Sequence, residues 1–257
     1  MSVRNRICIL LCLTLAVFIG VFSFPRIAQD PQYHMFADNR AFIKIPNFFN
    51  VISNLPFLLA GIWGLTHLFQ RKNAAAFREE HERLPYAIFF LGYALTFLGS
   101  SYYHWSPENS TLMWDRLPMA IVCMAIVAAT LNDRIGHRVG TFGLYPMLVL
   151  GIVSVVYWYL SELRGSGDLR LYGIVQFFSL AAIVLLILLF PARYTHSGWL
   201  LTGGGTYIIA KLLETFDRQV FFFTGVSGHT LKHLVASLAA FCILQMLGKR
   251  KPVDQLI

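Results

Sequence analysis

Eight apolar stretches follow one another along the chain, each about as long as a bilayer-spanning helix, with short polar segments between them. They run approximately over 7–24, 47–69, 85–104, 112–132, 141–160, 170–190, 199–217 and 226–247. A bilayer core of roughly 30 Å takes about 20 residues of helix, and no stretch is left over for a soluble domain. The pattern therefore predicts an all-α, polytopic membrane helix bundle.

Composition agrees with this prediction, because the chain has too few polar residues to cover a water-exposed globule. Apolar residues make up 56% of the chain, charged residues make up 13%, and the mean hydropathy is +0.59. The net charge of +8 could indicate a nucleic-acid partner, but the basic residues form no stripe interleaved with aromatic residues. We therefore expect the bilayer as a partner, with no nucleic acid and no obligatory protein partner.

The distribution of lysine and arginine predicts the orientation of the helices. With a cytoplasmic N-terminus, the inside segments carry twelve basic residues and the outside loops six, or nine when Arg116, Lys211 and Lys232 are included. This bias follows the positive-inside rule and predicts a multi-pass protein of the inner or plasma membrane. The inside residues are Arg4, Arg6, Arg71, Lys72, Arg78, Arg83, Arg134, Arg138, Arg193, Lys249, Arg250 and Lys251.

The first apolar stretch predicts a boundary at residue 24. Arg4 and Arg6 precede an apolar run that fits either a transmembrane helix or a signal peptide. No Ala-x-Ala cleavage site follows the run, which favours an uncleaved helix. We expect residues 1–24 to form an N-terminal transmembrane helix and residues 25–257 to form a seven-helix transmembrane domain.

Two histidines at i and i+4, His229 and His233, lie at the start of the last apolar stretch. This spacing puts both imidazoles on one helix face, where they can reach the same metal ion. The best third ligand is His104, which ends the third stretch and lies at the same outer end in the predicted topology. Three neutral imidazoles bind Zn²⁺ and leave a fourth position for water, as in catalytic zinc sites.

A hydroxyl and a carboxylate accompany His104. Ser100 lies one helical turn before it, and Asp115 lies near the start of the next stretch at the same predicted depth. An ionisable residue at membrane depth is costly and takes a functional or a paired role. Two alternatives stay open: His104 as a hydrogen-bonded interfacial residue, and Asp115 as the partner of Arg116 in a structural ion pair.

Two polar stripes also allow a structural and a functional interpretation. Over residues 47–54, asparagines recur at helical spacing with a serine beside them, and these polar side chains must face the bundle interior. There they either bond neighbouring helices or support a polar cavity near the metal. Lys211, Glu214 and Asp217 recur at three-residue spacing, either as a salt-bridged internal face or as groups that orient a metal-bound histidine.

The combined pattern resembles the alkaline ceramidase family. It consists of Ser100-x-x-x-His104, Asp115 after ten further residues, and His229-x-x-x-His233 on the last helix. That family belongs to a wider seven-helix superfamily that also contains the adiponectin-receptor-like proteins. Each motif alone is weak, and their combination makes the resemblance specific.

The resemblance implies a seven-helix core over about Asn47 to Leu247, with Zn²⁺ held by the three histidines. It implies cleavage of a lipid amide, of the ceramide type, to a fatty acid and an amine. In that reaction Asp115 accepts the proton of the attacking water and delivers it to the leaving amine, while Ser100 hydrogen-bonds the water or the oxyanion.

The sequence departs from the family's pattern in one region. Animal alkaline ceramidases bind calcium through an acidic cluster just before and at the start of the first core helix. Here that region offers Asp38 and Asn39, and Asn47 stands where the family has a glutamate. Calcium dependence therefore does not follow from the resemblance.

Two other functions remain open from the sequence. A lipid-sensing receptor on the same scaffold would use the zinc mainly for structure, although the chain has no sizeable soluble output domain. A transporter would use Lys211, Glu214 and Asp217 as pathway charges, but no inverted repeat or broken helix pair supports it.

Overall fold

The computed structural model of the protein describes residues 1–70 and 75–253. Over these residues the chain is built from helices and loops, with isolated β-bridges at Phe42–Ile45 and Tyr194–Pro252 and no strand. The predicted all-α class is therefore confirmed. Arg71 and Lys72, which contribute to the predicted charge bias, lie outside the described residues.

The helices follow the predicted apolar stretches closely. They are α1 Val3–Ser23, α2 Phe48–Ile52, α3 Leu55–Leu68, α4 Arg83–Trp105, α5 Asn109–Arg134, α6 His137–Leu163, α7 Arg170–Gly173, α8 Ser179–Leu189, α9 Gly198–Thr215, α10 Asp217–Thr224 and α11 Gly228–Lys249. A π-helical turn, Ile174–Phe178, joins α7 to α8.

Seven spans in the described part of the chain are long and apolar enough to cross a membrane, which is the organisation of a multi-pass membrane protein. They are α1, α2 with α3, α4, α5, α6, α7 with α8, and α11. The predicted stretch 199–217 folds as α9 but is not among the seven, because glycines, Lys211 and Glu214 lower its hydropathy.

The second predicted stretch is interrupted between α2 and α3. Pro56 occupies the first turn of α3, and a proline ring clashes with the carbonyl of the residue four positions earlier. The side-chain amide of Asn54 donates to the Asn50 carbonyl at 2.8 Å and to the Val51 carbonyl at 3.3 Å, so these acceptors near the break are satisfied. The break turns α2 toward the end of the bundle where α4 ends.

Two glycines allow helices to touch where the candidate residues lie. A Cβ on Gly99 would stand 2.0 Å from the Trp114 carbonyl oxygen, so α4 and α5 meet backbone to backbone at this point. A Cβ on Gly228 would stand 2.1 Å from the Leu213 carbonyl oxygen, so α11 begins directly against the end of α9. Ser100 therefore lies against the start of α5, and His229 lies against the end of α9.

Helix α1 lies on the outside of the bundle. None of its residues is buried, and Ile7 and Leu10 pack partly against the core. The Arg170 guanidinium donates to the carbonyls of Phe22 and Phe24 at 3.2 and 2.6 Å and holds the end of α1. The proposed boundary at residue 24 stays a prediction.

Candidate metal centre

Three imidazoles meet at one end of the bundle, and they are the three that the sequence analysis selected. The Nε2 atom of His104 lies 3.2 Å from Nε2 of His233 and 3.3 Å from Nε2 of His229. All three residues are buried, and a ligand atom from each lies within 4.8 Å of the others. Helix α4 contributes one imidazole and α11 contributes two, as the spacing predicted.

The donor set fits a divalent metal ion. Nitrogen ligands at 2.0–2.1 Å in a tetrahedral site stand about 3.3 Å apart, close to the observed Nε2 separations. Nδ1 of His233 lies 2.8 Å from the Ser53 hydroxyl, and that hydroxyl donates its hydrogen to the Asn50 carbonyl. Nδ1 of His233 is therefore the donor in that contact, which leaves the lone pair of Nε2 facing the other two rings. Nδ1 of His104 is buried without a partner in the described part of the chain.

Ser100 and Asp115 lie side by side near the imidazoles. Both are buried, and the Ser100 hydroxyl is near enough to act on the Asp115 carboxylate. The pair depends on the close approach at Gly99, because Ser100 and Asp115 are the residues that follow Gly99 and Trp114. Ser100, Asp115 and His233 line the same cavity.

Arg116 pairs with groups other than Asp115, the ion-pair partner considered in the sequence analysis. Its Nη2 donates to the Gln29 side-chain oxygen at 2.6 Å. The guanidinium lies over the Trp158 ring at 4.1 Å and near the Tyr172 ring at 4.8 Å from its centroid. Asp115 and Arg116 therefore diverge, and the carboxylate lies toward Ser100.

The charges of α9 form the salt-bridged face that was one of the two roles predicted for this stripe, and Asp217, at the start of α10, contacts the backbone of His229. Glu214 pairs with Lys211 on its own helix and with Lys232 on α11. The Asp217 carboxylate accepts hydrogen bonds from the backbone N–H groups of Ala37 and His229, each at 2.9 Å. The carboxylate of Asp217 thus fixes the start of α11 through the backbone and does not bond to an imidazole ring.

The polar stripe at α2 bonds the neighbouring helices, which is one of the two roles predicted for it. The side-chain oxygen of Asn50 accepts from Thr230 at 2.8 Å and from Ser227 at 3.3 Å, which ties α2 to the start of α11. Asn47 donates to the His104 carbonyl at 2.9 Å, which ties α2 to the end of α4. Through Ser53 the same stripe contacts the cluster of three imidazoles.

Phe36 is a site residue that the sequence did not single out. Its ring centroid lies 4.7 Å from that of His104 and 4.6 Å from that of His229, so it covers two of the imidazoles. The loop that carries it is held by Asp217 at Ala37 and by Asp38, whose carboxylate binds Arg40 at 2.6 and 2.8 Å. Periodicity cannot find such a residue, because Phe36 lies in a loop.

A cavity of about 410 Å³ opens beside the cluster, a size typical of small-molecule sites. A smaller cavity of about 100 Å³ shares Tyr93, Cys123 and Tyr207 with it and therefore lies next to it. The charged residues Asp115 and Glu214 line only the larger cavity, and the smaller one is mainly apolar.

The two cavities lie end to end along the helices, and together we call them the slot, which is polar at one end and apolar at the other. On α5 its wall steps from Arg116 through Cys123 to Ile126, and on α11 from His233 to Ile243. At a rise of 1.5 Å per residue the α11 wall is about 15 Å long. The slot therefore accepts a molecule with a polar head and an extended apolar tail.

Comparison with known proteins gives one family. A family model described as Ceramidase matches residues 40–202, more than half of the 257-residue chain. The matched range contains Ser100, His104 and Asp115, and it ends before the helix that carries His229 and His233. No curated protein matches the chain.

Proposed function

The chain belongs to the ceramidase family, and from this premise we propose that it is a membrane-embedded, zinc-dependent amidohydrolase. Its substrates are ceramide-like N-acyl lipids, and its products are a fatty acid and an amine. The observation that carries the proposal is the cluster of three buried imidazoles at the polar end of a slot that Asp115 and Ser100 also line.

The metal ligands in this proposal are His104, His229 and His233. Zn²⁺ in such a site supplies a Lewis acid for the amide carbonyl and lowers the pKa of water to about 7. The ligands are positioned by their surroundings: Ser53 holds the His233 ring, and Asp217 holds the backbone of His229. Phe36 covers two of the rings and limits the approach of bulk water from its side.

Asp115 is the proton carrier of the reaction. Water adds to the amide carbon while the Asp115 carboxylate takes one of its protons, and the same proton then goes to the leaving nitrogen as the C–N bond breaks. Ser100 lies beside this carboxylate on the cavity wall, and its hydroxyl is a hydrogen-bond donor for the developing oxyanion. The reaction consumes one water molecule and releases a fatty acid and an amine.

The shape of the slot supports a lipid substrate. An amide at His233 and Asp115 leaves the acyl chain to extend along α11 toward Ile243, among apolar side chains. The leaving amine then lies at the polar end, on the side of Asp115. The segment 25–46 supplies Gln29 and Tyr33 to the cavity wall, which supports a catalytic domain over 25–257 with 1–24 as an accessory helix.

The charge bias of the loops supports an extracytoplasmic site. His104 ends α4, and Asp115 and His229 lie near the starts of α5 and α11, so the centre lies at one end of the bundle. The positive-inside rule assigns the opposite end to the cytoplasm.

Turnover of a labelled N-acyl lipid in detergent tests the proposal. We expect release of the labelled fatty acid, loss of that release with a strong zinc chelator, and its recovery on adding Zn²⁺. Hydrolysis that survives complete removal of bound metal, measured on the same sample by elemental analysis, would contradict the proposal. Binding of the lipid without turnover would favour a receptor function instead.

A further inference from the structure

Arg116 is a buried cation, and no carboxylate of the described residues bonds to it. Only 6% of the residue is exposed, and its Nη2 donates to a neutral amide, that of Gln29. Its Nη1 is buried and has no hydrogen-bond partner in the part of the chain that the structure describes. The aromatic rings of Trp158 and Tyr172 lie against the guanidinium but offer no anion.

The anions of the cavity wall are engaged elsewhere. Asp115 interacts with Arg116 only at longer range, and the charge that acts on it most strongly is that of Lys232. Glu214 lies between two lysines. The Asp30 carboxylate belongs to an exposed residue and accepts the backbone N–H of Gln32. A buried charge without a paired counter-charge is costly, so the guanidinium is a site for an anionic group from outside the chain.

The position of Arg116 in the slot decides what this anion belongs to. Arg116 follows Asp115 on α5 and lines the larger cavity at the end opposite to Ile126. A lipid whose acyl chain occupies the apolar end, and whose amide lies at Asp115, therefore has its amine-linked head at Arg116. We propose that Arg116 binds a carboxylate or phosphate on that head, so that the substrate class is an anionic N-acyl lipid; this rests on the proposed amidase function.

Two substrates with the same acyl chain and different heads test the inference. N-oleoylglycine carries a carboxylate, and N-oleoylethanolamine carries a neutral hydroxyl at the corresponding place. A charge-assisted hydrogen bond gives a preference of about 10- to 100-fold in kcat/KM for N-oleoylglycine. Arg116→Gln lowers kcat/KM for N-oleoylglycine by a larger factor than for N-oleoylethanolamine and so removes this preference, while Arg116→Lys restores part of it.

The matched control is Arg26→Gln, since Arg26 is exposed on the same loop as Gln29 and does not line the cavity. This variant should keep the full preference. Equal kcat/KM for the two substrates in the parent enzyme, or an equal loss for both in Arg116→Gln, would overturn the inference while leaving the amidase function standing.

A binding measurement separates the inference from the amidase function. In an Asp115→Asn background, titration calorimetry of the two lipids should show N-oleoylglycine binding about 10- to 100-fold more tightly, with the difference lost on adding Arg116→Gln. This readout decides the subsite even if neither lipid is hydrolysed. Displacement of N-oleoylglycine by an equal concentration of acetate would also overturn the assignment, because a free carboxylate would then suffice for binding without an attached lipid.

Discussion

The hydroxyl of Ser53 lies 2.8 Å from Nδ1 of His233. This contact joins the polar stripe of α2 to the candidate metal centre on α11. It fixes which nitrogen of the ring carries the proton and leaves Nε2 free for a metal. The stripe is therefore part of the support of the centre as well as a set of contacts between helices.

Ser53→Ala should weaken metal binding by about 10- to 100-fold, the usual effect of removing a partner of a ligating histidine. Zinc affinity measured by competition with a chromophoric chelator checks this. Ser101→Ala is the matched control, because Ser101 bonds to a backbone carbonyl, that of Val51, and to no imidazole. Equal affinities for the two variants would contradict a positioning role for Ser53.

Replacement of His104 by alanine should abolish both stoichiometric metal binding and hydrolysis, because two imidazoles on one helix hold zinc poorly without a third ligand. Metal content by elemental analysis and fatty-acid release, on the same preparation, check both. His137→Ala, a change at a partly exposed histidine at the start of α6, should leave both unchanged. Full hydrolysis by metal-free His104→Ala protein would contradict the zinc mechanism.

Asp115→Asn should separate metal binding from chemistry. The amide keeps the size of the side chain but cannot accept a proton, so kcat should fall by about 10²- to 10⁴-fold while metal content stays unchanged. Glu108→Gln, at an exposed carboxylate before α5, should retain full activity. A variant at Asp115 that loses its metal as well would indicate a ligand and not a proton carrier.

Gly99→Ala should impair the site without touching any of its side chains. The added Cβ would stand 2.0 Å from the Trp114 carbonyl oxygen, so α4 and α5 must move apart and Ser100 must separate from Asp115. We expect lower kcat and a lower unfolding temperature. Gly143→Ala on α6 is the control, because its Cβ meets nothing closer than 3.9 Å. Similar behaviour of the two variants would show that the close approach is unimportant.

The loop that carries Phe36 should lose stability at low pH. The Arg40 guanidinium hydrogen-bonds to Asp38 and lowers the pKa of that carboxyl from its ordinary value. A lowered folded pKa means that the stabilisation is complete above the unfolded pKa, about 3.9, and is lost as the pH falls through the folded pKa. Thermal unfolding in detergent between pH 7 and pH 3 should therefore show an acid-dependent loss that Asp38→Asn reduces. An identical pH profile for that variant would exclude Asp38 as the cause.

The sequence predicted the elements of the site better than their surroundings. Residues four positions apart share a helix face, so the pairing of His229 with His233 and of Ser100 with His104 followed from spacing alone. The same reasoning placed Asp115 at their depth. It could not assign Arg116, because a residue at a helix start can turn either toward its neighbour or toward a loop.

The sequence by itself determined the helical class, the apolar spans and the helix ends that carry the imidazoles. It could do so because periodicity and length are local properties of the chain. Only the tertiary structure decided that Phe36 covers the imidazoles, that Gln29 is the partner of Arg116, and that the apolar slot continues from the site. These contacts join segments far apart in the chain. They depend on how closely the helix backbones approach, and a pattern along one helix does not contain that distance.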